Sequence, residues 1–319
     1  MNERGEGVIA FSVDENDIHA VHVDGMLSVI GVKTAALVSC LLLFTAPEAL
    51  SPQGRPAPAP GPQLGPKRPG LTPLVFAPGI ISKNGTDEWG LAVDADWTEI
   101  FFSRAENDKS TLYRMARQAD SWSEPVVAVF SGRYSDSHPV FSPDGKRLFF
   151  GSRRPCPGAR VELNLWLVEK TDGRWSAPRS LGPPLTDQTI HAASLSPDGD
   201  IYATGLVVFE KGSTGYQPPR KLRPDTPGSQ PAVSPDGRSI VFSQRDPRGF
   251  GGTDLNVIFK KADGSWTQPI NLGNDINTGL GETSPTFSRD GRFLFFSRRG
   301  DIWWVSASTL DRLRPARLE

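Results

Sequence analysis

The sequence has few cysteines and no local metal-binding motif. Its two cysteines are Cys40 and Cys156. Cys40 lies in an apolar N-terminal segment and Cys156 in a polar loop, so we expect no structural disulfide in the folded domain and an exposed thiol at Cys156. Neither Cys-x-x-Cys nor His-Glu-x-x-His occurs. We therefore predict no metal ligand and no cofactor, with Ca²⁺ as the one ion kept open.

The sequence also lacks an excess of charge of either sign. Lys and Arg number 35, Asp and Glu number 36, and the formal net charge is −1. A protein that holds a nucleic-acid backbone needs a basic surface to neutralise the phosphates. We therefore expect no nucleic acid among the partners.

Signatures of nucleophilic and phosphate chemistry are missing as well. No Gly-x-Ser-x-Gly elbow occurs. The glycine-rich stretch RGFGGTD at 248–254 joins two predicted strands and no helix follows it, unlike a phosphate-binding loop. We interpret it as an insertion in a strand connection and assign no residue a catalytic role.

Only one long apolar run occurs, residues 26–46, and Lys33 interrupts it. Read from Met26, it has a short n-region, an h-region from about Thr34 to Phe44, and the cleavage zone APEALS, as in a secretory signal. The residues before Met26 carry six acidic side chains against one arginine. They do not fit such a signal, so we interpret Met26 as the start of translation.

Two other interpretations of this run stay open. An uncleaved membrane anchor would place Lys33 near its centre, at a cost of about 3 kcal/mol. A lipoprotein signal would use LVSC, which ends at Cys40, but most of the apolar run follows that cysteine. All three predict export to the periplasm or the exterior, with membrane contact only through an N-terminal anchor.

A proline-rich tract, SPQGRPAPAPGPQLGPKRPG, follows at 51–70. Such a composition favours an extended spacer. We therefore divide the chain into an extension with signal or anchor (1–50), a linker (51–70) and a folded domain (71–319).

The folded domain is rich in turns and repeats one hairpin. Gly occurs 32 times and Pro 29 times. FSPDGKRLFFGSR shows the unit: a strand, a Pro-Asp-Gly turn and a second strand that is apolar on both faces. The turn recurs every 38 to 54 residues, the range of propeller blades. The aligned turn residues are Asp96, Asp144, Asp198, Asp236 and Asp290.

Each unit continues with a third strand, such as LNLWLVEK at 163–170. A fourth strand is marked by Trp-Ser/Thr-x-Pro at Trp122, Trp175 and Trp266, which we interpret as packing at blade edges. The last unit stops after its third strand, and LVFAPGIIS at 74–82 can supply the fourth. The sequence thus predicts an all-β fold, a β-propeller of five four-stranded blades closed by pairing of N- and C-terminal strands. Six blades are the alternative, and five require 206–223 to form two strands.

The SPDG turn, the LFF-S that follows it and the later DIW resemble the TolB-type, WD-like propeller repeat over about residues 74–310. The string WTQPINLGNDINTGLGETSPTFSRDGRFLFFSRRGDIW, 266–303, is similar to propeller segments of envelope proteins that often carry an OmpA-like domain. The resemblance implies an exported bacterial propeller that acts as a protein-interaction platform. That family commonly has six or seven blades, whereas five repeats are recognisable here.

Polar residues recur where the innermost strands should begin, near one mouth of the central channel. We predict a ligand-binding set there, able to bind a cation or the basic group of a peptide. A simpler interpretation, which we favour, is that short polar side chains satisfy exposed strand amides. The residues of the set are Glu88, Asp136, His138, His191, Gln230 and Glu282.

We therefore expect a monomeric, non-enzymatic binding module in the bacterial cell envelope. Its partner would be another envelope protein or peptide over the channel mouth, or an oligosaccharide. The alternative is a polysaccharide-acting lyase or hydrolase with acid and base in the channel. A third class is a structural domain stabilised by Ca²⁺.

Overall fold

The computed structural model describes residues 22–23, 26–27, 64, 68–119 and 121–316. The chain divides into two units, Met1–Pro56 and Ala57–Glu319. In the first unit, β1 (His22–Val23) pairs antiparallel with β2 (Met26–Leu27). The predicted signal or anchor beyond Leu27, with Cys40, lies outside the described residues. None of the described helices is long and apolar enough to cross a membrane.

The described part of the second unit forms five antiparallel sheets arranged as the blades of a propeller. In each sheet the strands run in chain order from the innermost outward, except that β3 (Leu74–Val75) is the outermost strand of blade 5. The first two blades each carry a split outer edge, where two short strands pair with the third. Blade 1 contains β4 (Glu88–Val93), β5 (Glu99–Glu106), β6 (Lys109–Gln118), β7 (Ser121–Trp122) and β8 (Val126–Val127), and blade 2 contains β9 (Asp136–Phe141), β10 (Arg147–Ser152), β11 (Asn164–Thr171), β12 (Arg174–Trp175) and β13 (Arg179–Ser180).

The other three blades have four strands each. Blade 3 is the shortest, and its two outer strands fall inside 206–223, so the condition for five blades is met. Its strands are β14 (Ala193–Leu195), β15 (Ile201–Ala203), β16 (Val207–Phe209) and β17 (Arg220–Lys221). Blade 4 contains β18 (Ser229–Val233), β19 (Ser239–Gln244), β20 (Asp254–Phe259) and β21 (Ile270–Asn271), and blade 5 contains β22 (Glu282–Phe287), β23 (Phe293–Arg298), β24 (Asp301–Ser306) and β3 (Leu74–Val75).

The two ends of the domain meet in blade 5, as the sequence predicts. Strand β3 pairs antiparallel with β24, with Val75 opposite Trp303 and Leu74 opposite Trp304. A 3₁₀ helix, Ala307–Arg312, follows β24. The early strand thus covers what would otherwise be an open sheet edge.

The domain starts earlier than the predicted boundary near Leu71. Leu64, inside the predicted linker, is fully buried, and its carbonyl accepts a hydrogen bond from the amide of Ala77. The Gly70 carbonyl accepts one from the amide of Ser306. A single leucine among prolines can fill an apolar site without forming a strand, so the composition of the tract concealed this contact.

The Ser-Pro-Asp-Gly turns have the geometry that their composition predicts. In blade 2 the Ser142 hydroxyl donates to Asp144, whose Oδ1 also accepts the amide of Lys146 at 3.1 Å. Gly145 has φ of +69°, in the region that favours glycine. Each turn therefore reverses the chain between the first and second strands of its blade.

Side chains that alternate along the strands fill two different blade interfaces. Phe149 packs in the cluster between blades 2 and 3, whereas Phe150 packs in the cluster between blades 1 and 2. The three tryptophans of the fourth-strand motif all join such clusters. The apolar core of the described domain thus consists of layers between neighbouring blades, which explains strands that are apolar on both faces.

Candidate functional site at the wide mouth of the channel

The innermost strands carry an irregularity at one repeated position, four residues before each turn motif. In blades 1, 2, 4 and 5 the register with the second strand shifts there, as in a β-bulge. The residues at this position have φ between +50° and +56°, a region that non-glycine residues rarely adopt. They are Gly90, His138, Gln230 and Ser284.

Three of these residues meet across the channel. The Ser284 hydroxyl oxygen lies 3.1 Å from His138 Nε2 and 3.2 Å from Gln230 Nε2. Gln230 Nε2 also lies 3.2 Å from His138 Nε2. One side chain each from blades 2, 4 and 5 thus forms a polar floor in the channel, which we call the channel floor: His138, Gln230 and Ser284.

The partners of Gln230 fix the tautomer of His138. Gln230 Oε1 accepts from the amide of Ser284 at 3.0 Å and from the Ser243 hydroxyl at 3.0 Å, so its Nε2 faces the histidine as a donor. His138 Nε2 must then accept, and Nδ1 carries the proton, which it donates to the Ser137 hydroxyl at 3.1 Å. The imidazole is neutral in this arrangement.

Burial favours the same neutral state. Burial, together with a smaller effect of the neighbouring His191, lowers the pKa of His138 from 6.5 to about 3. The two rings lie edge to face with centroids 5.5 Å apart. Burial also lowers the pKa of His191, whose Nδ1 lies 3.3 Å from the Thr204 hydroxyl.

Two glycines make room for these histidines. A Cβ at Gly90 would lie 3.0 Å from the Cα of His138, and one at Gly151 would lie 2.5 Å from the carbonyl oxygen of His191. The distance at Gly151 is too short for a side chain, and the distance at Gly90 leaves room only for a tight contact. Gly90 therefore occupies the bulge position of blade 1 because His138 lies against its backbone.

Above the channel floor the channel opens into a depression of about 520 Å³. We call it the wide mouth. Its volume lies within the range of about 300–1,000 Å³ that is typical of ligand sites. Its walls combine an aromatic ring, two exposed charges of opposite sign and hydroxyl groups. The lining side chains include Asp87, Trp89, His138, Gln230, Thr283, Ser284, Arg298 and Arg299.

Below the channel floor the channel is narrow. Pro139, Pro231 and Pro285 follow the three floor residues and line a cavity of about 40 Å³. Arg289 lies at the far end, where the other SPDG turns have proline, and its guanidinium donates to the Pro143 carbonyl of blade 2 at 2.9 Å. The two ends of the channel thus differ in size.

The three carboxylates of the predicted set lie at the first positions of β4, β9 and β22 and are fully buried. Each forms an ion pair with an arginine near the end of the second strand of its own blade. The pairs are Glu88–Arg104 at 2.7 Å, Asp136–Arg154 at 2.9 Å and Glu282–Arg298 at 2.7 Å. Their charges are therefore compensated inside the blades, and of the three only Glu88 also lines the wide mouth.

Blades 3 and 4 replace this ion pair with apolar contacts. Ile190, at the equivalent position in blade 3, is fully buried. At Gly228 in blade 4, a Cβ would lie 2.6 Å from Leu206 and from Phe242. The repeated position thus stabilises every blade, by an ion pair in three and by packing in two.

Of the predicted ligand-binding residues, the structure brings His138 and Gln230 into hydrogen-bond contact and places His191 beside them. Ser284, which completes the channel floor, was not in the predicted set, although its place four residues before the turn motif was a usable signal. The arginine partners were missed too. Glu88 and Glu282 each precede theirs by 16 residues, a spacing that the repeat contains.

No group of three or more His, Cys, Asp or Glu side chains within the described ranges is placed to hold a metal ion. Cys156 is partly buried, and its thiol lies 3.2 Å from the Ser180 hydroxyl. The predicted exposed thiol is thus partly covered by blade 2, whose short outer strand contains Ser180.

The sequence matches no family model and no curated protein. Among solved structures it is similar to TolB from Acinetobacter baumannii, with 15% identity over 69% of this chain and 54% of that one, at a TM-score of 0.44. A gluconolactonase from Xanthomonas campestris has 15% identity over 79% and 99% of the two chains, at a TM-score of 0.44. An α-L-arabinofuranosidase from Podospora anserina has 12% identity over 74% and 97%, at a TM-score of 0.48.

This chain spans about half the length of the Acinetobacter protein. These likenesses concern the fold, and the five paired sheets described above establish that fold independently. The domain is a five-bladed β-propeller.

Proposed function

We propose that this propeller is a non-enzymatic binding module of the cell envelope, and that its wide mouth binds an extended peptide segment of another envelope protein. The observation that carries the proposal is the depression of about 520 Å³ above a closed polar floor. A peptide laid over it can exchange hydrogen bonds with the exposed Asp87 and Arg299 and place one side chain inside.

The charge state of the site supports binding over turnover. General acid–base catalysis is most effective with groups whose pKa lies near the working pH. Glu88 and Glu282 are ion-paired with arginines, and burial lowers the pKa of His138 to about 3. His138 of the channel floor is thus a poor proton carrier near neutral pH, whereas burial raises the pKa of the Glu88 carboxyl in the wall.

The envelope location rests on the apolar run at 26–46, which the sequence analysis interprets as an export signal or anchor. Export would also match the interaction role that the TolB-type resemblance implies. A fusion of residues 26–50 to a reporter that is active only outside the cytoplasm tests this part. An inactive, cytoplasmic reporter would contradict it.

Photo-crosslinking tests the binding site itself. A benzophenone amino acid at Thr283, which lines the wide mouth, should capture a partner protein in cells, and mass spectrometry would identify the crosslinked segment. The matched control carries the same group at Val129, 81% exposed and outside that lining. Capture at Thr283 but not at Val129 supports the proposal, whereas equal capture or none contradicts it.

One contact motivates a test of the enzyme alternative. Ser284 Oγ lies 3.1 Å from His138 Nε2, a distance that a nucleophile and its base would have. The shared Gln230 donor and the low pKa of His138 make this a weak pair. We therefore expect no labelling of Ser284 by a fluorophosphonate and no new chain ends from envelope polysaccharides, and either product would favour a hydrolase or lyase.

The remaining ligand classes can be separated by thermal unfolding. Anything that binds only the folded state raises the midpoint by mass action. We expect no rise with envelope oligosaccharides or with Ca²⁺, and no fall with a chelator. A rise with Ca²⁺ would instead support the structural class.

A further inference from the structure

Two exposed apolar side chains belong to neighbouring loops that adjoin the wide mouth at Gly281. Phe250 is 44% exposed and Leu280 is 54% exposed, which is unusual for large apolar residues in the described domain. Leu280 directly precedes Gly281, which lines the wide mouth. Phe250 belongs to the loop between β19 and β20, and Leu280 to the connection between blades 4 and 5. We call these two side chains the rim pair.

The two loops approach each other closely at glycines and are joined by a backbone hydrogen bond. A Cβ at Gly251 would lie 2.9 Å from the Cα of Gly279, and one at Gly252 would lie 3.1 Å from the Cα of Gly281. The amide of Glu282 donates to the Thr253 carbonyl at 2.7 Å. Loops that touch so closely have little freedom to separate, so the rim pair forms one unit.

Each loop is also anchored on a buried carboxylate. Asp254 Oδ2 accepts from the amide of Phe250 at 3.0 Å. Glu282 accepts from the amide of Thr278 at 2.9 Å and from its hydroxyl at 2.7 Å, and that hydroxyl in turn accepts from the amide of Leu280 at 3.2 Å. Both carboxylates are fully buried. The rim pair is therefore preorganised, which lowers the entropic cost of using it in binding.

The charges of the wide mouth do not select a strongly charged ligand. Its exposed charges, Asp87 and Arg299, have opposite signs, and Arg298 is neutralised by Glu282. Long-range steering by charge is weak in such a site. The rim pair then offers the main contact that can distinguish one peptide from another.

We propose that the rim pair is the specificity determinant of the peptide site. It receives a large aliphatic or aromatic side chain of an extended peptide segment with little net charge, while the peptide backbone lies over the wide mouth. This inference rests on the proposed function. Buried apolar anchors of this kind supply much of the affinity in protein interfaces.

Panning a phage-displayed random peptide library on the full chain tests the inference. Enriched peptides should share one large aliphatic or aromatic residue, and as synthetic peptides they should bind with little dependence on salt. The F250S/L280S double variant should weaken their Kd about ten-fold. The V126S/V129S variant removes two apolar side chains that are at least as exposed, at the outer edge of blade 1, and should bind them as the unchanged chain does.

The outcomes separate this inference from the proposed function. Peptides that lose binding when Thr283 is changed to Trp but keep their affinity for F250S/L280S would overturn the role of the rim pair and leave the proposed function standing. Enriched peptides that share an acidic or basic residue in place of an apolar one would overturn it as well. A library that yields no binder would contradict both.

Discussion

At the scale of single residues, Glu282 has two structural roles, and the sequence analysis predicted neither of them. Its carboxylate pairs with Arg298 inside blade 5 and also anchors Thr278 in the loop that carries Leu280. Both members of the ion pair are almost completely buried. Glu282 is thus a positioning residue for the rim of the wide mouth.

Glu282→Ala should lower the free energy of unfolding by about 3–5 kcal/mol, because it leaves Arg298 buried without a counter-charge. Denaturant unfolding monitored by tryptophan fluorescence measures the change. Glu162→Ala is the matched control, since the Arg153–Glu162 pair is mostly exposed and should be worth under about 1 kcal/mol. Equal effects of the two substitutions would show that the buried pair does not contribute as described.

His138 should make the domain less stable as the pH falls. Its pKa is about 3 in the folded protein and near the ordinary 6.5 in the unfolded chain, so the unfolded state binds more protons between these values. Stability from this group is complete above pH 6.5 and decreases toward pH 3, by at most about 1.4 kcal/mol per pH unit. Urea unfolding between about pH 7 and pH 5, above the range where most carboxylates titrate, should show a smaller slope for His138→Gln than for the unchanged chain. Identical slopes would mean that His138 is protonated in the folded state.

At the scale of the blade, one position of the repeat has a smaller residue because the backbone of the next blade lies close to it. Gly151 occupies the place on β10 that Ser103 and Ser297 have in blades 1 and 5. The backbone of His191 passes close to it, and a Cβ at Gly151 would lie 2.5 Å from the His191 carbonyl oxygen. A rigid carbonyl cannot yield as a flexible side chain can.

Gly151→Ser, which would make blade 2 more like its neighbours, should therefore lower stability by about 1–3 kcal/mol. The midpoint of thermal unfolding reports it. Gly70→Ala is the control, since no atom lies within 4 Å of the added Cβ. A Gly151→Ser variant as stable as the unchanged chain would show that the blades can move apart at this point.

Sequence reasoning was effective within a blade and weak across the ring. The turn motif and the apolar runs are local, so the five blades and the contribution of Leu74–Val75 to blade 5 followed from spacing alone. His138, Gln230 and Ser284 are 92 and 54 residues apart and meet only because the ring closes. The residue type at this position also differs between blades. The repeat therefore predicted where these residues lie in their blades, but not that they contact one another.

At the scale of the whole molecule, Arg289 joins two blades across the narrow end of the channel. It lies in the turn of blade 5 and donates to the Pro143 carbonyl in the turn of blade 2. Burial lowers the pKa of its guanidinium, and nearby Asp144 partly offsets this. Blades 2 and 5 are not neighbours, since blade 1 lies between them. The contact therefore stabilises the ring in addition to the pairing of β3 with β24.

Arg289→Ala should lower the free energy of unfolding by about 1 kcal/mol, the net value of one hydrogen bond. Arg238, exposed at the corresponding turn of blade 4, is the control, and its substitution by Ala should have almost no effect. Chemical unfolding of both variants tests this. No difference between them would mean that Arg289 contributes nothing to holding the ring.

The account depends most on the wide mouth being the ligand site, and one affinity measurement tests that directly. Thr283→Trp should fill part of the depression, while Val129→Trp adds the same bulk at the outer edge of blade 1. Titration calorimetry of each variant with the partner segment captured by crosslinking would give its Kd. We predict that Thr283→Trp weakens binding about ten-fold or more and that Val129→Trp does not. Unchanged affinity in Thr283→Trp would place the ligand elsewhere on the propeller and contradict the account.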